Sequence, residues 1–112
     1  VQVYKTALHQ FRPYLSVVDS FNAFKFTIEN NFFKNDIFNI LTGNYTVNQI
    51  LQKIRKIKKN ISIDYVNAPI MNQLSYHVDD KKIKNYGFKI KGSIEKDIKD
   101  TLKLLKNLKN EL

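Results

Sequence analysis

The hydrophobic residues of this chain change their spacing part way along it, and this change restricts the folds that the chain can adopt. Residues 47–57 place Val, Ile and Leu at every third or fourth position, the period of one face of an α-helix. Thr46 and Gln49 form a capping-box pattern, which predicts that this helix begins after Thr46. Residues 61–65 then alternate apolar and polar side chains, as a half-buried strand does. The chain is therefore predicted to have a mixed αβ fold.

Two further helices are predicted on either side of this unit. Asp19 is a good N-cap residue for a first helix, which ends near residue 30, and Ser93 begins a last amphipathic helix. Gly87 stands where the short turn before it needs a C-terminal cap. Apolar, β-branched or aromatic runs predict short strands at residues 1–4, 14–18, 37–41 and 76–78. We expect one unit, residues 1–112, with about three main helices and short strands.

Composition excludes several classes of protein. The 112 residues are 43% hydrophobic, which is enough for one core, but Lys, Asn or Asp interrupts every apolar run. No run approaches the roughly 20 apolar residues of a membrane-spanning helix, so we expect no membrane partner. The sequence has no cysteine, which excludes disulfides and sulfur-ligated metals and favours the cytoplasm.

The net charge of +9 raises the question of a polyanionic partner. The basic residues are 17 Lys and only 2 Arg, whereas base readout and bidentate phosphate binding rely on Arg. We therefore attribute much of the charge to a Lys-rich composition and expect no nucleic-acid partner.

Motifs for free-standing catalysis are missing from the sequence. His9 and His77 lie far apart without a carboxylate at metal-ligand spacing, so no metal site is predicted. No serine stands in the Gly-x-Ser-x-Gly pattern of a hydrolase nucleophile. The 3 glycines do not have the spacing of a dinucleotide-binding loop, so no cofactor is expected in this chain.

Five short motifs follow one another in an order that is more informative than any one of them. They are Phe-Arg-Pro-Tyr-Leu-Ser-Val-Val-Asp at 11–19, Ile-Phe-Asn-Ile-Leu-Thr-Gly-Asn-Tyr-Thr-Val at 37–47, Ser-Tyr-His-Val-Asp at 75–79 with Lys82-Ile83, Tyr-Gly-Phe at 86–88, and Ser-Ile-Glu-Lys-Asp-Ile at 93–98. This order resembles the C-terminal, substrate-binding portion of the extended short-chain dehydrogenase/reductase family. Its members are NAD-dependent nucleotide-sugar epimerases and dehydratases.

The resemblance also implies which parts of such an enzyme this chain lacks. The family's glycine-rich NAD loop, its catalytic Ser or Thr and its Tyr-x-x-x-Lys pair lie upstream of the matched region, and no Tyr here has Lys four residues later. The chain begins with Val1 rather than Met, which suits a piece of a longer protein. The expectation is the nucleotide-sugar-binding portion of a UDP-glucose 4-epimerase-like enzyme or a dehydratase, inactive alone. NAD and its Rossmann domain would belong to the parent protein.

The resemblance assigns the substrate-binding residues. Arg12 falls on the family's arginine that contacts the diphosphate, and a guanidinium suits two phosphoryl oxygens. Asn72 and Gln73 stand where many members place a second such arginine, and they can hydrogen-bond a sugar or phosphate but cannot replace its charge. The chain departs from the family at Pro13, commonly Asp, and at Asn44, commonly Gly. Tyr76 and His77 border the loop and are assigned no substrate contact, while Asp19 and Asn39 are interpreted as structural.

Two expectations about partners remain. The alternative to the epimerase reading is a small, basic, non-catalytic module that binds polyanions or a protein through its Lys-rich helices. The first helix and residues 37–41 carry apolar residues on more than one side, which by the family resemblance would pack against the cofactor domain. In a chain without that domain, these faces predict a homo-oligomer. The faces expected to meet a neighbour are those of Phe21, Phe24, Phe32, Phe38 and Ile40.

Overall fold

The order of helices and strands gives a mixed α/β chain. A computed structural model describes residues 1–67 and 74–110 of the protein. Its strands are β1 (Gln2–Tyr4), β2 (Phe11–Tyr14), β3 (Gly43–Thr46) and β4 (Asp64–Val66). Its α-helices are α1 (Val17–Glu29), α2 (Val47–Ile57), α3 (Lys81–Asn85) and α4 (Ile94–Asn110), and a single 3₁₀ turn spans Lys5–Ala7. The three main helices predicted from the spacing are α1, α2 and α4.

Each pair of strands forms its own small sheet. β1 and β4 pair in parallel, with Val3 opposite Tyr65. β2 and β3 pair antiparallel, with Arg12 opposite Tyr45. The predicted strand at 14–18 is displaced toward the N-terminus, because Ser16 already caps the next helix. Of the strand predicted over 61–65, only the last two residues belong to β4.

Helix α2 begins as its sequence predicts. The Thr46 hydroxyl accepts a hydrogen bond from the Gln49 amide at 3.1 Å, and the Gln49 side chain accepts one from the Thr46 amide at 2.8 Å. The apolar face of α2 meets α4, where Leu51 and Ile94 are buried. An ion pair between Lys53 and Glu95 joins the same two helices at the surface.

Helix α1 begins three residues earlier than the sequence predicts. Ser16 is the N-cap residue, and its hydroxyl accepts a hydrogen bond from the Val18 amide at 3.2 Å. The prediction that Asp19 caps this helix was wrong, because the side chain of Asp19 turns inward and is completely buried. Its carboxylate is used for contacts between distant parts of the chain.

Two predicted strands are not formed. Residues 37–41 alternate in exposure as a strand would, but no neighbouring backbone pairs with them in the described part of the chain, and only the following Thr42 amide bonds to the Tyr14 carbonyl, at 2.8 Å. Residues 76–78 also lie outside any strand. Residues 37–41 have the side-chain period of a strand without the backbone ladder that defines one, whereas residues 76–78 do not alternate in exposure.

The core lies between α1, α3 and the residues that follow α3. Ala23, Ile83 and Phe88 are buried together, and Phe26, Phe38, Ile40 and Ile90 pack against them. Phe32 joins this cluster through ring contacts with Phe26 and Phe38, at centroid distances of 5.3 and 5.0 Å. Of the five residues expected to face a neighbour, Phe32, Phe38 and Ile40 are therefore half-buried against the chain's own core.

Among the helices of residues 1–67 and 74–110, none combines the length and the apolar character needed to cross a membrane.

Candidate functional site

Arg12 links β2 to the segment that precedes α3, residues 74–80. Its Nη1 donates hydrogen bonds of 2.7 Å to the carbonyls of Phe11 and Leu74, and its Nη2 donates one of 2.8 Å to Gln10 Oε1. The ring of Tyr76 lies beneath the guanidinium, 5.2 Å from its carbon to the ring centroid. Arg12 thus holds the beginning of the 74–80 segment against the sheet.

Side chains fix the rest of this segment along β2 and β3. Phe11 donates its amide to Ser75 Oγ at 3.0 Å. The Asn44 amide group donates to the Val78 carbonyl at 2.9 Å and accepts from the Val78 amide at 3.0 Å. Asn44 therefore gives Val78 the two bonds that a neighbouring strand would supply, which explains how the segment lies beside the sheet without being a strand.

A groove of about 430 Å³ opens beyond Asn44, between the start of β3 and the residues leading into α3. Its volume lies within the range of small-molecule sites. His77 stands at this groove and packs its ring on Phe11, with the centroids 4.2 Å apart. The lining residues that carry charge are Asp79, Asp80, Lys81 and Lys84.

The charges of the groove are paired with one another. Asp80 is buried, and its Oδ1 lies 2.7 Å from Lys84 Nζ, while its Oδ2 accepts no hydrogen bond within the described residues. Asp79 Oδ1 accepts the Lys81 amide at 2.8 Å, and this bond is the main reason that the pKa of Asp79 is lowered. Two carboxylates face two ammonium groups, so the groove has no net charge.

The buried carboxylate of Asp19 holds three separate parts of the chain together by hydrogen bonds. Its Oδ1 accepts the backbone amides of Lys91 and Gly92, each at 2.8 Å, and its Oδ2 accepts the Thr42 hydroxyl at 2.6 Å. Desolvation by burial raises its pKa, but these three hydrogen bonds favour the charged form and leave the pKa below its ordinary value. The carboxylate joins α1, Thr42 and the residues just before α4.

The predicted site residues divide into two groups. Arg12 is placed where β2 meets the 74–80 segment, and Leu74, to which it bonds, follows Gln73 directly in the sequence. Asn72 and Gln73 themselves lie outside the described residues. The sequence analysis assigned no substrate contact to Tyr76 and His77. In the structure, Tyr76 lies beneath Arg12 and His77 lines the groove.

Asn44 and Asp80 were not found by sequence reasoning. The sequence analysis names Asn44 only as a position that is commonly Gly in the family. The pattern of residues around it does not indicate its hydrogen bonds to Val78. The doubled Asp79-Asp80 before a short helix was a usable signal, because only one of two such carboxylates can serve the helix start.

The described part of the chain holds no group of three or more His, Asp and Glu side chains that could bind a metal ion. Comparisons with protein-family models, with curated proteins and with solved structures found no match to this chain.

Proposed function

We propose that this chain is the nucleotide-sugar-binding portion of an NAD-dependent nucleotide-sugar epimerase, UDP-glucose 4-epimerase-like, or of a dehydratase. The observation that carries the proposal is the hydrogen bond from Arg12 to the Leu74 carbonyl. It brings the one arginine that the family resemblance assigns to the diphosphate next to the residue that follows Asn72 and Gln73. Arg12 thereby contacts the described residue that follows this assigned pair directly in the sequence.

Arg12 would bind the diphosphate of the substrate. A guanidinium has five N–H donors in one plane and can pair two of them with phosphoryl oxygens. Its bonds to Phe11, Leu74 and Gln10 fix the orientation of that plane. Asn72 and Gln73 would supply neutral donors to the same oxygens or to a sugar hydroxyl.

The groove beyond Asn44 would take the sugar. Its two carboxylates and two ammonium groups balance, which suits a neutral ligand better than a charged one. The 74–80 segment connects this groove to Arg12, so a ligand lying along it would contact both.

The residues of this chain do not fit NAD, the cofactor that the family resemblance implies. The 3 glycines lack the spacing of a dinucleotide-binding loop, and no Tyr is followed by Lys at the fourth position. Another part of the protein would therefore have to hold NAD and the general base. We place the enzyme in the cytoplasm because the sequence has no cysteine.

Calorimetric titration of the chain with UDP-glucose tests the proposal. Arg12→Ala should weaken binding about 10- to 100-fold, the range for loss of a charged hydrogen bond. Arg55→Ala is the matched control, because it removes the same charge from the exposed side of α2 and should leave the affinity unchanged. Thermal unfolding of both variants checks that they remain folded.

The titration also distinguishes the nucleotide-sugar proposal from the alternative, a basic module that binds polyanions. Such a module would bind heparin, and Arg12→Ala and Arg55→Ala would weaken that binding equally, with a steep dependence on salt. Binding of heparin in this manner, with no heat from UDP-glucose, would refute the nucleotide-sugar proposal.

A further inference from the structure

Helix α1 carries an apolar stripe on its outer side. Val17, Phe21, Phe24 and Ile28 follow one another at intervals of four, three and four residues, so they lie in one row along the helix. Their exposed fractions are 79, 68, 71 and 69%. These four residues are called the α1 stripe. In the part of the chain that the structure describes, no element covers them.

The stripe is not needed to hold α1 in place. The opposite side of the helix already packs on the core through Ala23 and Phe26, and Asp19 ties it to Thr42, Lys91 and Gly92. A helix that is apolar on a second side as well has its second side buried by something else. Large exposed patches of this kind mark interaction surfaces.

We propose that the α1 stripe binds the α1 stripe of a second copy of this chain, with the two helices antiparallel. The spacing is symmetric about a point between Asn22 and Ala23. In an antiparallel pair, Val17 of one copy therefore lies opposite Ile28 of the other, and Phe21 lies opposite Phe24. A two-fold interface requires this self-complementarity.

The charges beside the stripe permit close approach of two copies. The stripe itself contains no charged residue, and Lys25 on its flank is paired with Glu29 of the same helix at 3.5 Å. The chain as a whole carries +9, so two copies repel one another at long range. Added salt screens that repulsion and should strengthen the dimer.

The exposed area of the α1 stripe determines how strongly two copies are expected to bind. With aromatic side chains of about 150–250 Å² each, the stripe exposes on the order of 500 Å² per copy. Two copies would bury on the order of 1,000 Å² together, which is at the lower limit for a specific interface. A weak dimer is expected, with a Kd on the order of 100 μM.

Sedimentation equilibrium of the 112-residue chain tests this. The mass should rise from 13.2 kDa toward twice that value with concentration, and the rise should be larger in high salt. Phe21→Glu and Phe24→Lys should each remain monomeric. Phe33→Glu is the matched control, because Phe33 is 70% exposed but lies off the stripe, and it should associate as the unaltered chain does.

Mixing the two stripe variants tests the antiparallel arrangement. Only in that arrangement does the glutamate introduced by Phe21→Glu in one copy face the lysine introduced by Phe24→Lys in the other. At the second contact of the same pair, an intact Phe24 faces an intact Phe21. The mixture should therefore recover the dimer that neither variant forms alone.

Three outcomes would each overturn the proposal. They are a monomer at every concentration and salt level, equal loss of association in Phe33→Glu, and a mixture of the stripe variants that stays monomeric. Because Phe21 and Phe24 are exposed, unchanged thermal unfolding is expected for both stripe variants, which separates loss of association from loss of folding.

Discussion

Thr42 donates a 2.6 Å hydrogen bond from its hydroxyl to the buried carboxylate of Asp19, while the same oxygen accepts the Ser16 amide at 2.7 Å. One hydroxyl thereby joins the N-cap of α1 to the carboxylate three residues further along the chain. Asp19 in turn accepts the amides of Lys91 and Gly92. Three regions that are distant in sequence meet at this carboxylate, and their stability depends on its charge.

The first prediction is a loss of stability in acid through Asp19. Its pKa is lowered in the folded protein from 3.8, so the stabilisation is complete above about pH 4 to 5 and is lost as the pH falls through the lower folded pKa. Asp19→Asn should therefore flatten the decline of the unfolding free energy below pH 4. At pH 7 it should cost about 1.5–3 kcal/mol, because an amide replaces a charged acceptor. Urea unfolding between pH 2.5 and 7 measures both effects.

Asp36→Asn is the control for this experiment. The pKa of Asp36 is lowered as well, chiefly by its hydrogen bond with Lys82, but the pair is half exposed and solvent screens it. Its pH profile should stay close to that of the unaltered chain. Equal flattening in both variants would show that Asp19 has no special part in the acid response.

The second prediction concerns Gly92, whose amide donates to Asp19. A methyl group at this position would overlap the side chains of Ser16 and Asp19, neither of which can move without breaking the hydrogen bonds described above. Gly92→Ala should lower the unfolding free energy by about 3 kcal/mol or more, the upper range for overpacking. Gly87→Ala is the comparison, since Gly87 has open space around it but a φ of +96°. That variant should cost only about 1–2 kcal/mol, and denaturant unfolding of both should give this order.

Local signals in the sequence predicted those parts of the fold that are formed by local contacts. The capping box at Thr46 and Gln49 is confirmed because both of its bonds join residues three positions apart. The cap at Asp19 was wrong because Ser16 serves the same purpose, and because the partners that draw Asp19 inward are 72 and 73 residues away. Spacing along one segment carries no information about such partners.

The same distinction applies to the candidate site. The family resemblance suggested Arg12, and the structure places it against Leu74, but its hydrogen bond to the Leu74 carbonyl spans 62 residues. The prediction of a buried strand at 37–41 was wrong, because Ile37 is 84% exposed and no neighbouring backbone pairs with this run among the described residues. Asn44 takes the place of such a backbone for Val78, and only the folded chain reveals this.

The third prediction tests the capping box. Thr46→Ala removes the acceptor for the Gln49 amide at the start of α2 and should cost about 1 kcal/mol of unfolding free energy. Gln49→Ala should cost less, because the Thr46 amide that it leaves can bond to water. Gln52→Ala, an exposed change in the same helix, should have almost no effect. A loss in Gln52→Ala as large as in Thr46→Ala would indicate a general loss of helix stability rather than loss of a cap.

The last prediction separates the geometry of Arg12 from its charge. Lysine keeps the positive charge, but a single ammonium group cannot reach acceptors on Gln10, Phe11 and Leu74 as the guanidinium fork does. Arg12→Lys should therefore release the start of the 74–80 segment and lower the unfolding free energy by about 1–2 kcal/mol. The release should be visible in hydrogen exchange of the Tyr76 amide, which bonds to the Phe11 carbonyl at 3.4 Å, and it should quicken about 10-fold. Arg55→Lys on α2 should leave this amide unchanged, and equal exchange in all three proteins would mean that Arg12 holds the segment by charge alone.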